Sequence, residues 1–309
     1  MTGGNGNPTI LYYHRVVEEW EPTLELAVSV EAFEAQVAYL TDRWRVVSLD
    51  EVEAHWRKGA PLPPRSVAIT FDDGYQDNYG CAFPILKRYG VPAAIFLTTA
   101  HVGTGKTFWW DRATLLYQKA SAARRLKDVI RGYGAVDAPT AEAWVKQLQG
   151  WSEAKRAAVL DDLEALTGPI DGEALPKSLS WEQIREMAAY GLSMGSHTRT
   201  HRDLTRLDPE ELEREVRGSK EDIETHLGRA VRFFSYPFGR WDHGVRAMMA
   251  KAGYALAFGG LDAVPSPYSL PRRKVKEGHT WGFGRQFSPT LFEAEISGLL
   301  DRIFLRSWR

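Results

Sequence analysis

Two adjacent carboxylates follow an apolar, β-forming run near the first quarter of the chain. Residues 67–71 lead directly into Asp72 and Asp73, and Gly74 follows them. Such a run predicts a buried strand whose carboxyl end presents both acids, which is where α/β folds place ligands and chemistry. Neighbouring side chains on a strand point to opposite sides, so we expect the two acids to have different roles. The alternative is an ordinary Asp-Asp-Gly turn, in which the acids cap backbone N–H groups.

Two histidines four residues apart follow another predicted strand. His197 and His201 stand in Ser-His-Thr-Arg-Thr-His, and they can point the same way where the intervening backbone is tightly turned. Two imidazoles and one carboxylate form a ligand set suited to a divalent metal, most readily zinc, with Co, Mn, Fe or Ni as alternatives. The second acid is then available as a base toward water. A solvated or capping histidine pair is the alternative.

The elements that position these residues alternate between strands and helices. Apolar runs predict strands at residues 9–13, 46–47, 67–71, 92–97, 192–196, 231–236, 254–258 and 270–275. Helical patterns separate them, and capping signals at Ser48, Ser180 and Asp208 mark three helix starts. This alternation predicts parallel strands joined by helical crossovers.

Between residues 103 and 178 the pattern becomes mainly helical. The region is rich in Ala, Leu, Lys, Arg and Glu. We interpret residues 1–309 as a single domain with this helical insertion, because the apolar content of the insertion looks too low for a large core of its own.

Composition excludes several classes of protein. The 309 residues carry 39 Lys+Arg against 40 Asp+Glu, so the net charge of −1 gives no overall attraction to nucleic acid or anionic membranes. One cysteine, Cys81, excludes an intrachain disulfide and a Cys-based zinc cluster. No apolar run has the length of a transmembrane segment, and the first residues lack a secretory signal pattern. We therefore predict a cytoplasmic location, or a mature form that has lost its targeting segment.

Together these motifs resemble a known family, the metal-dependent polysaccharide deacetylases with the NodB-homology fold (carbohydrate esterase family 4-like). The matching segments are residues 70–75, 196–201 and Tyr-Pro-Phe-Gly at 236–239, with Tyr-His-Arg at 13–15 typical of one branch. The resemblance implies a distorted (β/α) barrel of about seven strands. It also implies hydrolysis of N-acetyl groups on amino sugars of a polysaccharide or of a lipid- or nucleotide-linked precursor.

The resemblance implies roles for individual residues by their motif positions. Asp73, His197 and His201 match the metal ligands, and Asp72 matches the general base. The backbone N–H that stabilises the oxyanion matches Phe238, the residue after Pro237.

Two further residues are candidates for contacts with the substrate. His14 ends the first predicted strand, where it either lines the pocket or is a structural histidine. Tyr75 either stacks on a sugar ring or packs in the core, since aromatic faces suit both environments.

The sequence departs from the family pattern at three places. Ser235 stands where many members carry an arginine that tunes the base, and Arg272 or Arg240 could replace it. We favour Arg272 because it belongs to the last predicted strand. The family's Asp-Trp motif is not visible, and the late histidine that serves as general acid has no clear match, with His279 a weak candidate.

These departures keep two alternatives open. One is a carbohydrate-binding pseudoenzyme that retains the pocket, and the other is a hydrolase of a non-sugar amide on the same fold, since fold does not determine substrate. The expected partner is an N-acetylated carbohydrate, without nucleic acid, and the oligomeric state stays open.

Overall fold

The computed structural model describes residues 7–20, 26–134, 138–260, 265–282 and 286–299. Its strands are β1 Thr9–Tyr13, β2 Arg15–Val17, β3 Ala27–Ser29, β4 Arg45–Val46, β5 Ser66–Phe71, β6 Ala94–Leu97, β7 Ser193–Ser196, β8 Phe233–Ser235, β9 Leu256–Gly259, β10 Leu270–Pro271 and β11 Arg273–Lys274. Its α-helices are α1 Val30–Arg43, α2 Leu49–Lys58, α3 Phe83–Tyr89, α4 Trp109–Ala122, α5 Leu126–Ile130, α6 Ala141–Gln149, α7 Glu153–Thr167, α8 Trp181–Tyr190, α9 Pro209–Leu227, α10 His243–Lys251 and α11 Pro289–Ile296.

The main sheet is parallel and nearly closes into a barrel surrounded by helices. Its strand order is β10-β9-β8-β7-β6-β5-β1-β11, and β4 pairs with the start of β5. The central pairing joins β1 to β5 from Thr9↔Val67 to Tyr13↔Phe71. Helical crossovers carry the chain between the parallel strands, as the alternation of elements requires. The predicted distorted (β/α) barrel of about seven strands is confirmed.

A short stretch of chain joins the two ends of the sheet. Leu270 of β10 pairs with Phe258 of β9, whereas Lys274 of β11 pairs with Tyr12 of β1. Only Arg272 separates these two short strands. We expected one strand over residues 270–275, and the structure shows two because the chain changes its pairing partner at Arg272.

Buried side chains alternate between two sides of the barrel wall. Ile10 and Phe96 belong to one apolar cluster, and their neighbours Leu11 and Ile95 belong to another, which also contains residues of the outer helices. This is the period of two expected for strands buried on both faces. On β5 the same alternation assigns Ala68 to the first cluster, so Thr70 and Asp72 follow on that side.

The helix starts agree with the capping signals. Ser48, Ser180 and Asp208 each form a complete capping box with the residue three positions later. Such caps satisfy backbone N–H groups that have no partner within the helix.

Among the described residues, no helix combines the length and the apolar character that crossing a membrane requires.

Residues 105–177 form a compact unit of their own, and the rest of the described chain forms the other unit. It contains α4 to α7, and its own apolar core includes Leu116, Trp144, Leu148, Leu160 and Leu163. The apolar content of this region is therefore sufficient for a small core of its own. Treating residues 1–309 as one domain with an insertion stays a prediction.

Candidate active site

The two acids lie at the sharp turn that ends β5. All six residues of β5 are buried, and the Asp72 N–H donates to the Tyr13 carbonyl at 3.0 Å. Asp73 and Gly74 then both adopt positive φ, at 72° and 77°. Positive φ is uncommon for aspartate, and such strain is often found at functional sites. The turn separates the two carboxylates, which make different contacts.

Asp73 meets the two histidines of the second motif. The His197 Nε2 atom lies 3.5 Å from Asp73 Oδ1, and the His201 Nε2 atom lies 3.3 Å from the same oxygen. All three side chains are buried, and their ligand atoms lie within 4.8 Å of one another. One carboxylate oxygen and two imidazole nitrogens at these distances form a possible site for a divalent metal.

The protonation of the histidines fits this role. His197 Nδ1 lies 2.7 Å from the Ser235 carbonyl oxygen, which only accepts, so Nδ1 carries the hydrogen and Nε2 faces Asp73 with its lone pair. Burial lowers the pKa of His197, and burial, followed by the proximity of the His197 ring, lowers the pKa of His201 well below its usual value. Both rings are therefore neutral at pH 7, as metal ligation requires.

Asp72 is held by the buried side chain of Arg272. Arg272 is 3% exposed and donates to both carboxylate oxygens, at 2.8 Å to Oδ1 and 2.6 Å to Oδ2. The same guanidinium donates to the hydroxyls of Ser235 at 2.7 Å and Thr70 at 3.1 Å. It lies between the rings of Tyr12 and Phe96. This two-pronged contact holds the carboxylate in one orientation.

The electrostatics keep Asp72 ionised. Burial alone raises the pKa of this carboxyl, but the Arg272 charge, followed by His197 and the Arg272 hydrogen bonds, outweighs burial. The pKa of Asp72 consequently lies below its ordinary value. The carboxylate is therefore ionised at neutral pH, which is the protonation state that a general base requires.

The third motif brings a strained backbone position to the same site. Pro237 begins a 3₁₀ turn in which Phe238 has a φ of 58°. The Phe238 ring contacts the His201 ring edge-on, with centroids 4.8 Å apart. The residue whose N–H is the predicted oxyanion donor therefore packs its ring against a predicted metal ligand.

His14 also belongs to this region. It follows β1, and its electrostatic neighbours are Lys274, Asp72, His197 and Arg272. Burial, followed by the Lys274 charge, lowers the pKa of His14 to about 3, so its ring is neutral at pH 7. Its Nδ1 atom is buried and has no hydrogen-bond partner among the described residues.

The other three candidates have their partners outside the Asp72–Arg272 pair and the predicted metal ligands. Tyr75 is completely buried, with the Arg15 guanidinium 5.3 Å from its ring centroid, so it packs in the core rather than offering a face to a sugar. Arg240 is 44% exposed and pairs with Asp203. His279 is 52% exposed and pairs with Glu295 of α11 at 3.3 Å.

Two residues of the site escaped the sequence reasoning. Thr70 donates to the Leu11 carbonyl at 2.7 Å and accepts from Arg272, and its position two residues before Asp72 was the available signal. Ser235 was noted only for the arginine it replaces. Its hydroxyl accepts from Arg272 and its carbonyl accepts from His197.

With this geometry described, comparison with known proteins gives the family. A family model for polysaccharide deacetylases matches residues 59–257, which is more than half of the chain. The chain belongs to the polysaccharide deacetylase family. It is accordingly a deacetylase, a hydrolase that acts on amide bonds.

Individual relatives agree with this assignment. YxkH of Bacillus subtilis (strain 168), a protein grouped with the polysaccharide deacetylases, is 24% identical over 274 residues, covering 87% of this chain and 71% of YxkH. The poly-beta-1,6-N-acetyl-D-glucosamine N-deacetylase of Escherichia coli (strain K12) is 37% identical over 82 residues, which are 26% of this chain but only 12% of that protein. The structure of the Streptococcus pyogenes deacetylase PplD in complex with acetate has the same fold, with a TM-score of 0.62 and 20% identity over 94% of this chain and 97% of PplD.

Proposed function

We propose that this deacetylase is a metal-dependent enzyme that removes N-acetyl groups from the amino sugars of a polysaccharide. The observation that carries the proposal is the convergence of Asp73, His197 and His201 beside an ionised Asp72 held by Arg272. The donor set of two imidazoles and one carboxylate favours zinc, with Co, Mn, Fe or Ni as alternatives. The name of the E. coli relative supports an N-acetylglucosamine polymer as the substrate class.

Each residue of the site then has a chemical task. Asp73, His197 and His201 would hold a divalent metal, which would act as a Lewis acid toward water when bound. The Asp72 carboxylate accepts the proton of the attacking water, and Arg272 keeps that carboxylate ionised and oriented. The Ser235 carbonyl holds the His197 ring with Nε2 toward Asp73. The Phe238 N–H is our candidate donor to the developing oxyanion, since preorganised donors stabilise such charge.

One experiment separates the base from the metal ligands. Wild-type protein, Asp72→Asn and His201→Ala are stripped with a chelator and reloaded with Zn²⁺, and bound metal and acetate release from N-acetylglucosamine oligosaccharides are measured. We expect Asp72→Asn to retain metal and to lose about 10²–10⁴-fold in turnover, the range for a general base. We expect His201→Ala to lose both metal and turnover, because it removes one of three ligands.

Two results contradict the proposal in different ways. Full turnover by the metal-stripped wild-type protein refutes metal dependence. Metal binding by the wild type without acetate release from any amino sugar refutes the substrate class, and it favours a carbohydrate-binding protein or a hydrolase of another amide.

A further inference from the structure

The loop between the two histidines is strained and needs external support. Thr198 and His201 both have positive φ, at 69° and 58°. Such non-glycine positions are energetically unfavourable and persist only where the surroundings hold them. Within the loop, the His201 N–H donates to the Thr198 hydroxyl at 2.9 Å, and the Thr198 N–H donates to Ser196 Oγ at 3.2 Å. These local bonds leave the N–H groups of Arg199 and Thr200 to be satisfied from elsewhere.

A single carboxylate on α9 satisfies them. Glu215 Oε2 accepts from the N–H of Arg199 and from the N–H of Thr200, both at 2.9 Å. Its other oxygen accepts from the Thr200 hydroxyl. Glu215 is only 7% exposed, and burying a carboxylate is unfavourable unless hydrogen bonds compensate. All three of these bonds go to residues that lie between the two predicted metal ligands.

The same face of α9 makes further contacts with the loop. Ser219, four residues after Glu215, lies 2.6 Å from Ser196 through its hydroxyl. Asp222, seven residues after Glu215, accepts from Arg199 Nε at 3.2 Å and from the Thr99 hydroxyl at 2.6 Å. Positions 0, 4 and 7 share one helical face, so α9 presents a polar stripe to the loop. Glu215 is the member of this stripe that contacts the loop backbone.

The carbonyl side of the loop is held independently. The Thr99 N–H donates to the Thr198 carbonyl at 3.1 Å, and the Ala100 N–H donates to the Arg199 carbonyl at 2.8 Å. The residues after β6 therefore hold the carbonyls, and Glu215 holds the N–H groups. Removing Glu215 leaves two backbone donors without their acceptor while the carbonyl contacts remain.

We propose that Glu215 is a positioning residue that holds the 198–201 loop in the conformation that directs His197 and His201 toward Asp73. It acts through the loop and touches neither substrate nor metal. The inference rests on the metal site of the proposed function and names the residue that preorganises it. Outer partners of metal ligands typically contribute about 10–100-fold to metal affinity.

The test measures metal binding rather than turnover. Apoprotein is titrated with Co²⁺ and followed by the visible absorption of the bound ion, which gives both the affinity and the coordination geometry. We expect Glu215→Ala to weaken Co²⁺ binding by about 10–100-fold and to change the spectrum. Glu215→Gln should restore binding, because its amide oxygen can accept from both N–H groups while its NH₂ donates to the Thr200 hydroxyl.

Two more variants make the result specific. Thr200→Val removes one of the three bonds at an exposed position and should weaken Co²⁺ binding less than Glu215→Ala. Glu224→Ala is the matched control, since Glu224 also lies on α9 and accepts from a backbone N–H, that of Val231 at 2.9 Å. It should cost stability without changing Co²⁺ affinity.

A folded Glu215→Ala protein with wild-type Co²⁺ affinity and spectrum overturns the proposal. If Glu215→Ala does not fold, Thr200→Val decides: wild-type affinity overturns the proposal and weakened affinity supports it. Wild-type protein that binds Co²⁺ but releases no acetate contradicts the proposed function alone, because this test reads only metal binding.

Discussion

Replacing Arg272 with methionine removes the guanidinium that faces Asp72 while keeping most of the side-chain volume. The wild-type pair is buried, with two charge-assisted hydrogen bonds at 2.8 and 2.6 Å. Hydrogen bonds to charged groups contribute about 1.5–3 kcal/mol each, so two correspond to roughly 3–6 kcal/mol. Breaking a buried ion pair by removing one partner costs about 3–5 kcal/mol. We therefore expect Arg272→Met to lower the free energy of unfolding by about 3–5 kcal/mol at neutral pH.

The size of this loss should depend on pH. In the wild type the pKa of Asp72 is depressed, so its ionisation stabilises the native state above its unfolded pKa of about 3.9, and the contribution is lost as pH falls toward the native value. Without Arg272, burial raises the pKa of Asp72 above its ordinary value. The variant then takes up a proton at a higher pH than the wild type does, so its deficit relative to the wild type should shrink as pH falls.

Urea unfolding followed by tryptophan fluorescence, at pH 8 and at about pH 5, measures this deficit. Acetate release should fall by at least about 10²-fold, because the base loses its orientation and its ionised state. Arg272→Lys should recover only part of either loss, since an ammonium cannot make the two-pronged contact. A deficit that is equal at both pH values, or full activity of Arg272→Met, refutes this reasoning.

Arg240→Met is the matched control for the other arginine that the sequence left open. Arg240 is 44% exposed and pairs at 2.7 Å with Asp203, which also accepts hydrogen bonds from Thr205. Exposed pairs contribute about 0–1 kcal/mol, so its stability should change by less than about 1 kcal/mol at either pH. A larger effect from Arg240→Met than from Arg272→Met contradicts the assignment of Arg272 to the base.

Further substitutions test the turn and the histidine assignments. Gly74→Ala should cost about 1–2 kcal/mol for its left-handed backbone and about 1–3 kcal/mol more for crowding, because the new Cβ lies 2.9 Å from Leu97 Cδ2. Gly90 also has a positive φ, but an added Cβ meets no described atom within 4 Å beyond its chain neighbours, so Gly90→Ala should lower the free energy of unfolding only by the backbone cost. Equal losses for the two variants in urea unfolding contradict a crowding cost at Gly74. His14→Ala should lower kcat/KM for acetate release by at least about tenfold without loss of bound metal. His279→Ala should leave kcat/KM unchanged. A larger loss of kcat/KM in His279→Ala than in His14→Ala refutes the placement of His14 at the site.

Local sequence signals predicted most of the architecture. The strands around the site are short apolar runs between capped helices, and residues such as Ser48 and Asp208 mark helix starts by interactions within four residues. Two features of the fold were not predicted. One is the β2–β3 pair, whose strands have only three residues each, and the other is the division of the last predicted strand at Arg272. Short strands carry too few residues to show a period.

The sequence by itself determined which residues could ligate a metal or act as the base. Asp72, Asp73, His197 and His201 have the side-chain types that this chemistry needs, and their short spacings keep each pair at the end of one strand. Whether the two pairs meet depends on the sheet, because β5 and β7 both pair with β6 and so end at the same rim.

Only the tertiary structure decided how the site is held. Arg272 lies 200 residues after Asp72 in the sequence. It reaches that carboxylate because the chain stops pairing with β9 and starts pairing with β1 at this residue. Glu215 reaches the histidine loop because α9 packs one face against the end of β7. No local sequence pattern predicts either contact, since each joins residues of separate elements that pack together only in the folded chain. The sequence contains many arginines and glutamates, and only the folded barrel shows that Arg272 and Glu215 contact the residues of the site.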